Sequence, residues 1–381
     1  MFGKCFYLVV VLIVFALTFS ACTVVAPQAT QVPEPTDLSK VWVIGNIYVS
    51  PVEIPWSRAH KEALKNALAN YGTVTEINGG FEVHDKARNL VARTLSWTAT
   101  DDFSTEKVLS VAQNMIQQGA NTIFVTAEDW CAGLISDFAS EHPNVLFACI
   151  RSETAPNVVS MYPKSWMGFC IAGAALAAQV ESPHIGLLGA YENNSQVASN
   201  HGAAAACFAD AWTELGKPGV PEFSTVYVNS WGDSPKEHEA ARALVDMNVS
   251  AFLVHEDSTS AAQEVAQDQN PPLVVGYDQD WAQFVEPNKH VFTSVTIDWT
   301  DVYSKVLAMA KSSDFDTFRW NPGLSEGAVK LAPFSPVVTD LAKQLALKYT
   351  QKLADGWRPC GDDNTMWSIG HWTDCYKEGS N

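Results

Sequence analysis

Residues 251–280 read AFLVHEDSTSAAQEVAQDQNPPLVVGYDQD. An apolar run at 251–254 ends in His255-Glu256-Asp257-Ser258, an Ala-rich helical pattern covers 258–267, and a second apolar run at 273–277 ends in Asp278-Gln279-Asp280. Two short apolar runs separated by one helical stretch predict parallel strands joined by a crossover helix. Both strands empty into carboxylates, and in an open parallel sheet the strand exits are where ligands bind. Fold and site are therefore read from the same thirty residues.

Outward from this unit the alternation repeats. Apolar runs at 41–47, 122–126, 145–150, 185–189, 223–228 and 291–295 are interleaved with helical patterns at 57–71, 105–118, 132–141, 166–180, 196–215, 236–247 and 299–310. So many units exceed one doubly wound sheet and fit either a closed barrel or two α/β lobes. The break at 157–168, a strand followed by Pro163 and a new helix, and the fresh start at 185–189 favour two lobes with a cleft between them. The expected limits are 41–160 with 297–325 for the first lobe and 161–296 for the second. Residues 326–381 form a return segment and tail, assigned to neither lobe.

At the N-terminus, Lys4 precedes an apolar run that closes in Ser20-Ala21-Cys22. Residues 1–21 read as a secretory signal. A Cys after small residues fits a lipoprotein box in which Cys22 becomes the acylated first residue, the null alternative being an ordinary signal with an incidental cysteine. The Pro-containing stretch 22–40 would be an extended tether, leaving the body outside the cytoplasm and held to the membrane by lipid. The formal net charge is −18 without a basic run, which excludes a nucleic-acid backbone as partner. Six further cysteines allow fifteen pairings. Cys360 and Cys375, which bracket a Gly- and Trp-containing tail, are the favoured disulfide. Cys149 and Cys170, in apolar surroundings, read as buried thiols at least as readily as disulfide halves. No spacing predicts a metal, no cofactor motif occurs, and no nucleophile or phosphate-binding motif calls for catalysis.

Of 13 Trp, four stand at predicted strand exits: Trp56, Trp130, Trp231 and Trp299. Carboxylates and an amide accompany them, at Asp129, Asn193, Asp257 and Asp278. One exit Trp is usually packing; four of them around a cleft suit a flat ligand held by stacking and in-plane hydrogen bonds. His60 and His255 stand alone and read as structural histidines. Asp257-Ser258 reads equally well as a helix N-cap. The exit carboxylates also admit an acid/base pair, so an extracytoplasmic nucleoside or glycoside hydrolase is the rival, and a sugar-binding protein of the same fold is another.

The ordered segments Trp56-Ser57-Arg58-Ala59-His60, Val226-Tyr227-Val228-Asn229-Ser230-Trp231, His255-Glu256-Asp257-Ser258, Gly276-Tyr277-Asp278-Gln279-Asp280 and Thr293-Ser294-Val295 resemble the basic membrane protein, or PnrA-like, branch of ABC-transporter substrate-binding lipoproteins. The resemblance runs over about 40–356. It implies a type I periplasmic-binding-protein fold with hinge strands, a purine-like ligand in the cleft, an ABC permease as partner, a monomeric state and no chemistry. By position it adds Trp166 to Trp56 and Trp130 as aromatic contacts. The chain departs from the nucleoside-binding branch at Val295-Thr296-Ile297-Asp298-Trp299, where that branch carries a Lys, and at Pro55-Trp56-Ser57. Both departures move the expected ligand from nucleoside toward free base.

Overall fold

The computed structural model describes residues 40–359 except 101 and 152. The expected signal, the acylated Cys22, the tether up to residue 39, and the Cys360–Cys375 pair lie outside the described residues. Along the chain the strands are β1 (Trp42–Tyr48), β2 (Thr73–Ile77), β3 (Gly80–His84), β4 (Leu90–Thr98), β5 (Ala120–Val125), β6 (Leu146–Ile150) and β7 (Val158–Met161), then β8 (His184–Gly189), β9 (Glu222–Tyr227), β10 (Ala251–His255), β11 (Leu273–Asp278), β12 (Val291–Ile297), β13 (Arg319–Trp320) and β14 (Val329–Leu331). The helices are α1 (Pro55–Leu68), α2 (Thr105–Gln117), α3 (Glu128–Trp130), α4 (Ser136–Glu141) and α5 (Trp166–Gln179), then α6 (Ser195–Glu214), α7 (Ser234–Asp246), α8 (Ser260–Val265), α9 (Thr300–Ser312) and α10 (Asp340–Ala354).

Two sheets result. The first runs β13-β7-β6-β5-β1-β4-β3-β2 and the second β14-β12-β11-β10-β8-β9. Pairing is parallel except for β2–β3, β3–β4 and β12–β14. The unit quoted at the outset is β10-α8-β11, with Ala251 opposite Leu273. The chain passes between the sheets three times: from β7 into α5, from β12 into α9, which packs on α1 and β5, and from β13 to β14. The return segment places β14 against β12 and α10 against α5, both on the second sheet's side.

The hairpin β2–β3 and its partner β4 go beyond the expected alternation. Their signal is local: Asn78-Gly79-Gly80 supplies positive φ at both glycines between alternating stretches, the chemistry of a tight hairpin turn. The hairpin β2–β3 extends the first sheet away from the cleft, while β4, parallel to β1, adds a strand exit of its own at Ala99 and Thr100.

Helix α5, WMGFCIAGAALAAQ, is apolar on every face and is buried from Trp166 to Ala177, as a helix with no polar face is when it sits in a protein core. It lies against α6 and α10. A side chain at Gly173 would collide with the Ala204 carbonyl, so the close approach of α5 and α6 depends on the missing Cβ. Cys170 and Cys207 join the same two helices in a disulfide across a sequence separation of 37. Of the two readings open for Cys170, thiol or disulfide half, the second holds: the small residues that made its surroundings look apolar are what bring α6 close enough to bond. Cys149 is buried and free, as is Cys131.

Two tests follow from this contact. Cys207→Ser is expected to lower the free energy of unfolding by about 2–4 kcal/mol, the usual value of a cross-link closing such a loop. Urea unfolding checks it, and reductant should bring the wild type toward the variant. Gly173→Ala should lower stability by about 1–3 kcal/mol through overpacking, with the disulfide still formed.

Candidate functional site

The carboxyl ends of β1, β4, β5, β8, β9 and β10 converge on a cavity of about 590 Å³ between the two sheets, within the range of small-molecule sites. The first-lobe wall carries Trp56, Phe103, Glu128, Asp129 and Trp130. The facing wall carries Tyr191, Asn194, Trp231, His255 and Asp257.

Pro55 at the first helical position opens α1 and sets Trp56 at the cavity. The indole Nε1–H donates to the Thr126 carbonyl at 2.9 Å. Its ring meets Trp299 edge-on at 5.5 Å, His60 at 4.9 Å and Tyr277 at 6.4 Å. Trp130 is fixed by an Nε1–H bond to the Phe103 carbonyl at 2.9 Å and lies 6.2 Å from Trp97. Trp231 is more open, with its ring 5.6 Å from Tyr191 and 5.9 Å from His255. Three indoles on two walls can enclose a flat ring.

The polar groups are acidic. The lining includes Glu128, Asp129 and Asp257 and no Lys or Arg. Glu128 pairs with Arg151 at 2.7 Å and accepts from Asn194 Nδ2 across the cleft at 3.4 Å. Burial raises its pKa against the pull of Arg151. Burial, reinforced by Glu237, holds the Asp257 carboxyl well above the usual carboxylate range. Asp257 does not cap α8; of the Asp257-Ser258 pair it is Ser258 whose Oγ accepts from the Ser260 amide in the first turn, at 3.2 Å. Such groups accept ring N–H donors and disfavour phosphate or carboxylate on an occupant. No set of three or more His, Cys, Asp or Glu among the described residues is placed to hold a metal ion.

Four of the nine expected residues stand elsewhere. Asn193 is exposed in the turn before α6. Its neighbour Asn194 lines the cavity and caps α6 by accepting from the Gln196 and Val197 amides. Trp166 is buried at the start of α5 with the Arg358 guanidinium over its ring. Asp278 and Trp299 line a separate cavity of about 380 Å³ with Glu62 and Gln279. Asp278 Oδ1 accepts from Trp299 Nε1 at 3.3 Å, and Trp299 packs behind Trp56 and against Trp320. This pair backs the first cavity and does not wall it. Sequence reading passed over Tyr191, Asn194 and His255; the last read as structural because it stands alone, outside any cluster of histidines in the sequence. His60 is structural here, bonded to Tyr303 OH at 3.0 Å and pushed by burial down to about 3.

The PnrA-like description of ABC transporter substrate-binding proteins (Bmp) matches residues 55–357. The chain is similar to a purine-binding protein of Brucella abortus, 25% identical over 323 residues, covering 82% of this chain and 81% of the other. It is also similar to a putative ABC transporter glucose-binding protein of Haloferax volcanii, 26% identical over 282 residues, covering 71% and 68%. Among solved structures, a solute-binding protein of an Aeropyrum pernix ABC transporter system superposes with a TM-score of 0.67 at 14% identity, covering 89% of this chain and 99% of that one. A solute-binding protein from Conexibacter woesei gives 0.59 at 16% identity, covering 84% and 98%. The fold is the type I periplasmic-binding-protein fold.

Beside Asp257, Glu256 is buried with neither carboxyl oxygen bonded among the described residues. Burial, with Glu237 and Asp257 nearby, pushes it up to about 11. Its folded pKa lies above the unfolded value of about 4.3. The folded state therefore binds the extra proton, and stability is lost as pH rises from about 4 toward 11. Glu256→Gln should raise the melting temperature at about pH 8 and flatten its fall with pH, measured by scanning calorimetry across that range.

Proposed function

The chain belongs to the PnrA-like family of ABC-transporter substrate-binding proteins, and from that premise we propose that it captures an uncharged purine-type heterocycle, a free base in preference to a nucleoside. Members of this family bind and deliver solutes outside the cytoplasm and do not turn them over. The observation that carries the purine reading is the cavity itself, with Trp56, Trp130 and Trp231 around a lining that has three carboxylates and no cationic side chain. Stacking of a base on an aromatic ring contributes about 1–3 kcal/mol, and carboxyls take the in-plane N–H groups that such a ring presents. The cation-free wall disfavours nucleotides, whose phosphates would find no positive partner there. Similarity to a purine-binding protein supports the same reading.

Ligand capture would close the two lobes on the ring, since an occupant touching both walls favours the closed arrangement. The expected partner is an ABC permease. We place the monomeric protein on the membrane surface through an acylated Cys22, with mass spectrometry of the mature N-terminus as the check.

Ligand binding raises the melting temperature in proportion to RT ln(1 + [L]/Kd), about 2.7 kcal/mol at a hundredfold excess. Soluble protein lacking residues 1–22 should be stabilised by nucleobases, less by nucleosides and not by nucleotides in a thermal-shift screen. Stabilisation by glucose and other sugars alone would sink the purine reading and turn the indoles into carbohydrate platforms. Trp231→Ala should weaken nucleobase binding at least tenfold with little loss of stability, because Trp231 is the most exposed of the three indoles. Full affinity in that variant would move the site elsewhere.

A further inference from the structure

From the second-lobe wall, at Gln196, a buried chain of side chains that the stacking model does not use runs inward and returns to the wall at His255. Gln196, in the first turn of α6, donates from Nε2 to Tyr277 OH at 3.0 Å and to Ser165 Oγ at 3.4 Å. Ser165 Oγ donates to Asn200 Oδ1 at 2.9 Å. Asn200 Nδ2 donates to His255 Nδ1, also at 2.9 Å. The polarity of the chain is consistent throughout. With its oxygen taken by Ser165, Asn200 has only N–H groups to offer His255, so Nδ1 accepts and the ring proton sits on Nε2.

The ring is held as well as polarised. It packs 4.4 Å from Tyr277 and is stacked 6.0 Å from Phe169. Burial, with His201 close by, pushes its pKa well below the ordinary histidine value, so the ring is neutral and only one nitrogen carries hydrogen. The bond at Nδ1 is the ring's one hydrogen bond among the described residues, and His255 lines the cavity together with Asp257 two residues on. A fixed donor therefore stands on one wall beside the Asp257 carboxyl, whose carbonyl oxygen accepts in the neutral form that burial favours.

We infer that His255 is a specificity-determining residue, presenting Nε2–H to a ring oxo group of the ligand, and that Asn200 is the positioning residue that sets this polarity. The inference rests on the purine reading and narrows it. A 6-oxopurine offers an oxo acceptor next to a ring N–H, matching His255 and Asp257. A 6-aminopurine turns an N–H₂ donor toward the His255 donor, and a buried donor facing a donor leaves both unsatisfied.

The test is calorimetric titration of the soluble chain with hypoxanthine, guanine and adenine, together with ¹⁵N spectra of the imidazoles, in which His255→Phe identifies the signal. The expected results are at least tenfold tighter binding of the two oxopurines and a protonated Nε2 with an acceptor-type Nδ1. In His255→Phe and Asn200→Ala the preference should collapse toward parity, with hypoxanthine weakened far more than adenine. A merely structural role would weaken all three bases alike. Equal affinity for the three bases in the wild type, or a proton on Nδ1, overturns this inference and leaves the purine reading standing. Binding of no purine at all overturns both. The wild-type spectrum decides the polarity even if a variant fails to fold.

Discussion

The contact on which the cleft depends is the seating of the Trp56 indole where the two lobes meet. One edge is tied to the first lobe by the bond to Thr126. Its surroundings come from both sides of the boundary: His60 on α1, Trp299 in the β12–α9 crossing, and Tyr277 at the end of β11. The same ring is cavity wall and interlobe packing at once. Large aromatic contacts of this kind contribute about 0.5–1.5 kcal/mol beyond buried area, and here that contribution depends on the lobes being together. Cavity lining and lobe contact thus draw on one side chain, so the shape of the cavity depends on the relative placement of the sheets.

Around this aromatic seam the electrostatics penalise ionised carboxylates. Asp257, Glu256 and Asp278 are all buried at the ends of neighbouring strands, and burial drives all three toward the neutral form. Asp278 adds a left-handed backbone, φ 68°, at a non-glycine residue, with one carboxyl oxygen left unbonded among the described residues. Strained or unsatisfied groups of this kind cluster at functional sites because the surrounding fold over-determines them. The second cavity, lined by Asp278 and Trp299, lies behind the seam and shares it. The bond from Gln279 to Glu62 at 3.1 Å is a further tie between the lobes there.

The strand–helix period carried most of the fold on its surface. Runs such as 251–254 and 273–277 are buried on both faces, so they read as continuous apolar stretches, and the residues that follow them must lie at the sheet's ligand-binding edge. What the period does not carry is the direction each exit residue takes. Side chains alternate from one side to the other, so a one-residue offset separates Asn194 from the exposed Asn193. Likewise Asp278 and Trp299 stand at true strand exits and turn to the back of the seam. His255 was legible as an exit residue but not as a donor, because its polarity is set by Asn200, 55 positions away on helix α6. The Cys170–Cys207 bond was hidden for a related reason: it follows from how closely Gly173 lets two helices approach, which no spacing within the chain encodes.

That bond has a mechanical consequence. Helices α5 and α6 both start at the cleft, one with Ser165 before it and the other with Asn194 and Gln196. Pinning them together below the first turns fixes the separation of Ser165, Gln196 and Asn200, and with it the side chains that orient His255. The second lobe is thereby stiffened as one lever arm, and compliance is concentrated in the three chain crossings. A recognition surface braced in this way keeps its hydrogen-bonding polarity whether the cleft is open or shut, so the geometry that reads the ligand does not have to be rebuilt at each encounter.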